Sequence, residues 1–469
     1  GLWLCYEDRL PSPNNGYKEK IKLTFNDCKW IRNYASKPNG GGGAQIGTGT
    51  LSNSEVEFSG CYFEQNKAMN GGAISLQTVQ PALIFNCTFV NNEAINGLGG
   101  AIFVDPNHSG RNSKFEMQKC EIMNCTFEGN HASSDNSHAI CMKGGTNTLL
   151  YISSNNTFKD NNNENLGGSA ILYEGQNLVL EFPLFSDSKL SRFIEFGTNS
   201  EAHLSNVDFK ECYEKEGNGN AVKINSDASI IELTNCNFTN CGSTGYAIQD
   251  LGAKFTLTNC FFKFDNNEKA CCALDIANNN AVVIEGCTFI NNANKNEDEK
   301  SATLYYHPTD TNETITIRSC LFDQCFGPNY KTVSIQSKVS PIFEFNTFQN
   351  MENTDKPIGE IHVSDDSLII SHCTFYHLTS QIEYGGATGL LFSKDKSDET
   401  LQLIFDSCRW TENQAFYSKD FSNKRYNGIG GAYHQGLNPS LSNTTIEFEN
   451  CTFLRNRSDR EGGAIALKT

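Results

Sequence analysis

No stretch of this chain carries eighteen apolar residues in a row, so no segment of it reads as a membrane-spanning helix. Positive charge is scarce as well. Thirty-seven Lys and Arg stand against 54 Asp and Glu, a formal charge of −17 that repels phosphate backbones. The densest basic stretch, Lys419 to Arg425, holds three cations and reads as a solvated loop, so nucleic acid is excluded as a partner. No Cys-x-x-Cys pair occurs and the nine histidines are scattered, which argues against zinc; no metal or other cofactor is expected. Gly-x-Ser-x-Gly and Ser-His-Asp arrangements are missing too. Helical periodicity is absent over any useful length, and 39 Gly with 55 Asn disfavour helix.

What the chain does have is a repeat of about thirty residues, Cys-x-Phe-x-x-Asn followed by Gly-Gly-Ala-Ile. Clear copies are Cys61, Phe63 and Asn66 with Gly71–Ile74, Cys87, Phe89 and Asn92 with Gly99–Ile102, and Cys451, Phe453 and Asn456 with Gly462–Ile465. Fixed-period self-similarity describes units that bury their apolar faces against neighbours, a solenoid. Aligned on the cysteine, about fifteen rungs start at Cys28, Cys61, Cys87, Cys125, Asn156, Pro183, Val207, Cys236, Cys260, Cys287, Cys320, Asn346, Cys373, Cys408 and Cys451. Two residues on, every rung carries Phe or Trp. Five and three residues before stand apolar pairs such as Val56 and Phe58, and a third alternating stretch follows the Gly-Gly pair, as in Leu274 and Ile276. Period-two alternation with Gly at the corners predicts three short strands per rung. The fold class is therefore all-β, a right-handed parallel β-helix. With rungs ~4.8 Å apart the rod would be roughly 70 Å long. Residues 1–20 are read as an N-terminal segment and 21–469 as one continuous helix.

Five residues beyond the cysteine the column is Asn in eight rungs: Asn33, Asn66, Asn92, Asn130, Asn161, Asn292, Asn413 and Asn456. An amide at a corner both donates and accepts, so this column reads as a structural ladder. Eleven cysteines fill the inward Cys column as small hydrophobes. Cys212 and Cys241 fall in the Asn column of successive rungs, close enough for a disulfide; a bridge and two thiols both remain open.

The motifs Phe63-Glu64-Gln65-Asn66 and Gly71-Gly72-Ala73-Ile74 resemble the repeat of the chlamydial polymorphic membrane proteins, and similar repeats occur in surface proteins of unicellular eukaryotes. The resemblance covers Ile21 to Leu467 and is eroded between Pro183 and Gly359. It implies a right-handed β-helical region displayed outside the cell, often as an adhesin. Because the chain opens at Gly1 and stops within a repeat, it is expected to be part of a longer protein.

Nine Asn-x-Ser/Thr sequons add little, since 55 Asn and 72 Ser plus Thr would give about eight or nine by chance. Asn86, Asn107, Asn124, Asn155, Asn237, Asn312, Asn443 and Asn450 are candidate glycosylation sites, whereas Asn456 belongs to the ladder. Parallel β-helices also host polysaccharide-cleaving enzymes. Here the acidic candidates, Asp365-Asp366 and the run 296–300, read as a turn and a solvated insertion, and His372 and His434 lack an evident partner. No catalytic residue is assigned. The expected function is non-catalytic adhesion, with a filament or surface-coat subunit as the alternative and a polysaccharide enzyme as the second. Expected partners are a protein or glycan at a cell surface, or further copies of the chain. Contacts are expected at corner insertions, where Phe416, Tyr417, Phe421 and Tyr426 supply aromatic anchors.

Overall fold

The computed structural model describes residues 2–4, 21–36, 41–46, 54–78, 80–105, 119–133, 137–143, 149–153, 155–161, 168–175, 177–181, 183–188, 192–212, 221–241, 246–264, 272–278, 280–292, 302–309, 312–325, 331–353, 358–380, 390–393, 400–416, 433–435, 443–459 and 462–467. Among these, every regular element is a strand. The chain divides into two compact units, 1–237 and 238–469, and each is a parallel β-helix.

One rung of the first unit runs through Ser54–Ser59, Tyr62–Glu64 and Ile74–Leu76. We call these the leading, aromatic and trailing strands. Each pairs in parallel with its counterpart in the next rung, like upon like: Phe58 with Ile84, Phe63 with Phe89, Ile74 with Ile102. In the leading strand Val56 and Phe58 are buried while Glu55 and Glu57 face out, where both ion-pair with Lys22. Such exposed pairs contribute little. Residues 2–4 add a parallel strand to the trailing sheet beside Ala44–Ile46.

The aromatic column is the core of both units. Phe63, Phe89, Phe127 and Phe158 stack at centroid separations of 4.9, 4.8 and 4.7 Å, fully buried, with Cys61 and Cys87 on the same inward side, as the period-two spacing predicts. In the second unit Phe262, Phe289 and Phe322 continue the pattern at 5.0 and 4.9 Å. Each such pair contributes about 0.5–1.5 kcal/mol beyond the burial of its area.

Two corners per rung turn on a single residue in the left-handed region. The first immediately precedes the Cys column: Asp27, Gly60, Asn86, Asn124 and Asn155 have φ between 51° and 63°. The second immediately precedes the Asn column, as at Gln65, Asn91 and Gly129. Asn, Asp and Gly tolerate this backbone at least cost. The third corner needs two glycines for two reasons. Gly71 has φ 61°, and a Cβ on Gly72 would lie 2.2 Å from the carbonyl oxygen of Gly100 in the next rung.

The turns strand backbone groups, and two columns of side chains satisfy them. Asn33 donates through its backbone N–H and Nδ2 to Asn66 Oδ1 at 3.0 and 2.8 Å, Asn66 does the same to Asn92, Asn92 to Asn130, and Asn130 to Asn161. The second Nδ2 proton caps the carbonyl of the preceding rung's aromatic, as from Asn66 to Trp30 at 2.8 Å. The cysteines prove to be donors as well as hydrophobes. Cys61, Cys87 and Cys125 donate to the carbonyls of Phe25, Phe58 and Ile84, the leading-strand residues of the rung before. Burial pushes the Cys61 thiol up to about 12, which keeps its proton in place. Where the column holds Asn instead, Asn156 and Asn346 cap Ile122 and Ile317 at 2.9 and 2.8 Å.

Because rungs couple to their neighbours, truncating one aromatic should act locally. Phe289→Ala is expected to cost about 3–5 kcal/mol, read by denaturant unfolding, with amide exchange rising around Phe262, Phe289 and Phe322. A uniform rise along the second unit would contradict nearest-neighbour coupling.

Candidate functional site

Between the inward rows, the trailing strands of each unit carry one further row of side chains. In the first unit the central outward row runs Gln45, Ser75, Phe103, Cys141, Leu172, and all five are buried. Phe103, Cys141 and Leu172 form a small apolar cluster with Leu98 packed on it. The same row continues through Glu195 and Lys223, half-buried and ion-paired at 3.5 Å.

In the second unit Tyr246–Asp250, Cys272–Ile276, Ala302–Tyr306, Lys331–Ser337 and Gly359–Val363 stack in register. The rows Ile248, Leu274, Leu304, Val333 and Asp250, Ile276, Tyr306, Ile335 point inward, so alternation turns the intervening row to the other side: Gln249, Asp275, Tyr305, Ser334, Glu360, of which Gln249, Asp275 and Ser334 are buried by their neighbours while Tyr305 and Glu360 are half-buried. One step along, His307, Gln336 and His362 share that face.

These side chains hold one another. Asp275 accepts from Gln249 Nε2 at 2.9 Å and pairs with His307 Nε2 at 2.7 Å. The His307 ring stacks on Tyr305 with centroids 4.1 Å apart. Burial, with the Asp275 and Glu360 carboxylates nearby, raises the Tyr305 phenol above its ordinary value, so it stays a neutral donor. Lys331 pairs with Glu360. Beside them Ser334, Ile335, Gln336, Glu360 and His362 line a depression of about 230 Å³. Carboxylates, amides, hydroxyls and imidazoles together offer both donors and acceptors with charges largely matched.

Asp250 lies at the end of the inner row, and its role is structural. Its carboxylate accepts from the Gly252 and Ala253 N–H groups at 3.1 and 3.0 Å and from Asn278, closing the turn after the strand. Burial pushes it from an ordinary 3.8 up to about 7. A folded-state value above the unfolded one means that the protonated form favours folding, a contribution present at low pH and lost as pH climbs through about 7. Asp250→Asn should therefore flatten the fall in stability between pH 4 and 7, so that the melting temperature of the variant minus that of the wild type rises with pH. A difference constant over that range would show that Asp250 is not protonated in the fold.

Sequence-predicted positions fall elsewhere. Asn86, Asn124, Asn155 and Asn450 all occupy the first corner with φ of 51–61°. Asn86, Asn155 and Asn450 are exposed, and Asn155 donates to Asn124 Oδ1 at 3.3 Å. Asn237 is exposed and donates to Asp208 Oδ1 at 2.7 Å, while Asn312 is exposed and Asn443 opens the strand Asn443–Glu449. Asn107 lies outside the described residues. Cys212 and Cys241 end the strands Asp208–Cys212 and Asn237–Cys241, both side chains fully buried and neither in a disulfide. Phe416 is half-buried, whereas Tyr417, Phe421 and Tyr426 lie outside the described residues, as does the acidic run 296–300. Asp365 accepts from the Ser340 N–H at 2.7 Å, fixing a turn as expected. His372 stacks on Phe345 at 4.5 Å, and His434 sits in a strand paired with Ile465–Leu467.

The row on the second trailing sheet was missed because each rung contributes only one or two of its residues. The available signal was the polar residue inside each third strand, such as Asp275 between Leu274 and Ile276. No family model matches the chain, and no curated protein matches it either. Among the described residues no helix is long and apolar enough to cross a membrane.

Proposed function

We propose that the chain is a binding segment displayed outside the cell, serving adhesion without catalysis, with the accessible part of the second unit's trailing face, around Tyr305, Gln336 and Glu360, as a contact surface. The observation that carries this reading is the pre-paired outward row. Asp275 is engaged by both Gln249 and His307, and Glu360 is neutralised by Lys331, so the groups are fixed for recognition. The two carboxylates share a row three rungs apart, about 14 Å at ~4.8 Å per rung. Paired-carboxylate glycoside hydrolysis requires roughly 5–9.5 Å. The resemblance to surface-protein repeats supports an extracellular setting.

The filament or coat reading has one observation of its own. Ile342, Ile369 and Ile404 fall in one outward row of the leading sheet, with Ile342 40% and Ile369 51% exposed, beside the half-exposed Phe345. Sedimentation of the purified chain decides between the two. Adhesion predicts a monomer at micromolar concentration that binds cell surfaces saturably. Concentration-dependent assembly that Ile369→Lys abolishes would favour the coat. Release of shortened products from a polysaccharide panel would overturn the non-catalytic reading.

A further inference from the structure

We infer that the leading face of the second unit, around Phe345, docks a protein segment that combines apolar side chains with lysine or arginine; this goes beyond the trailing-face contact proposed above and stands on other residues. Among the described residues eight large hydrophobic side chains are exposed, and four of them, Ile342, Phe345, Ile369 and Tyr376, fall in two successive rungs. Scattered singly they would be ordinary, but gathered they form a patch. Ile342, Ile369 and the half-buried Ile404 align in one row of the leading sheet. At the corner that follows, Phe345 stacks at 4.5 Å on the exposed His372.

Phe345 is out of place as a folding residue. It occupies the left-handed first corner with φ 56°, a position filled in the rungs around it by Ser319, His372 and Ser407 and farther off by Asn259, Gly286 and Asn450. Among the described residues it is the one apolar side chain on a left-handed backbone. A bulky side chain there raises the energy of the backbone, and at half exposure it recovers little by burial. The bond its corner makes, from the Phe345 N–H to the Ser371 carbonyl at 3.0 Å, asks nothing of the ring. A costly, exposed aromatic points to a task outside the fold.

Charge selects the partner. Between the isoleucine row and the corner runs the row Arg318, Glu344, Ser371, Asp406, Glu449, and the isoleucine row itself ends on Glu447. Four carboxylates therefore stand against one guanidinium, while Arg409, past the corner, donates to Thr411 Oγ1 at 3.0 Å. Glu344 and Asp406 lie one rung to either side of the buried Ser371, each half-buried at the edge of the apolar patch. A cation seated over Ser371 meets a carboxylate on both sides, and apolar side chains next to it cover Ile369 and Phe345. The same charges oppose a second copy of the chain, which carries −17.

The test is calorimetric titration of the whole chain with two short amphipathic peptides, one built of leucine and lysine, the other of leucine and glutamate. Saturable binding of the leucine–lysine peptide is expected, weakening as salt is added, with none for the leucine–glutamate peptide. Phe345→Asn should weaken binding about tenfold while the melting temperature holds or rises, because asparagine suits the left-handed corner. Glu344→Gln combined with Asp406→Asn should also weaken it and flatten its dependence on salt. The inference is overturned if the leucine–lysine peptide does not bind, if the leucine–glutamate peptide binds as well, or if either set of changes leaves affinity unchanged. A lower melting temperature in Phe345→Asn would show that the ring holds the fold, and overturns it too. Tyr305, Gln336 and Glu360 are unchanged in every variant, so failure of peptide binding leaves the trailing-face reading standing. Sedimentation of the same samples tests the other occupant: concentration-dependent assembly that Phe345→Asn abolishes makes the partner a second copy, and overturns both this inference and the monomeric reading.

Discussion

Everything in this fold depends on satisfying the backbone at the corners. A strand ladder takes care of its own N–H and C=O groups, but the chain leaves two sheets per rung by turning on one left-handed residue, and each turn strands a donor and an acceptor in a dry interior. Asparagine resolves this by repetition. Its Oδ1 accepts from the backbone and the amide of the rung before, and its Nδ2 reaches back to that rung's aromatic carbonyl. Each bond contributes only about 0.5–1.5 kcal/mol net, but leaving one unmade inside the core costs about 1–3 kcal/mol. Cysteine does a lesser version of the same task with one proton, which is why Asn156 and Asn346 substitute for it in the neighbouring column.

The same logic explains where the columns change. Asn292 has no Asn in the following rung to accept from it, so its Nδ2 turns to the carbonyls of Phe262 and Ile290, and in that following rung Cys325 caps the Phe289 carbonyl instead. Asn413 resumes the ladder with Asn456, and its Oδ1 also accepts the N–H of Leu378, a residue unable to donate onward through its side chain. Ladders are cooperative in runs and costly when solitary.

Much of this was legible in the sequence, because identical residues at a fixed period stack by necessity. The aromatic column, the Asn ladder from Asn33 to Asn161 and the glycine pair at Gly71-Gly72 all follow from spacing alone. The donor role of the cysteines did not follow, since it depends on which carbonyls the left-handed corner residues release. Nor did the contrast along the trailing row. Phe103, Cys141 and Leu172 make one stretch of the trailing row apolar while Glu195 and Lys223 beyond them, and Asp275, Tyr305, Ser334 and Glu360 in the second unit, are polar, and these residues are separated by whole rungs of uneven length. A site drawn one residue at a time from successive repeats has no local motif to display.

The asparagine ladder is the part of the account most open to direct measurement. In Asn92→Ala the Asn66 N–H loses its acceptor, Asn92 Oδ1 at 3.0 Å, whereas the adjacent Gln65 N–H keeps its bond to the Val90 carbonyl at 3.0 Å. Amide hydrogen exchange resolved to single residues separates the two. The account predicts that protection falls at Asn66 and persists at Gln65; equal loss at both, or unchanged protection at Asn66, would contradict it.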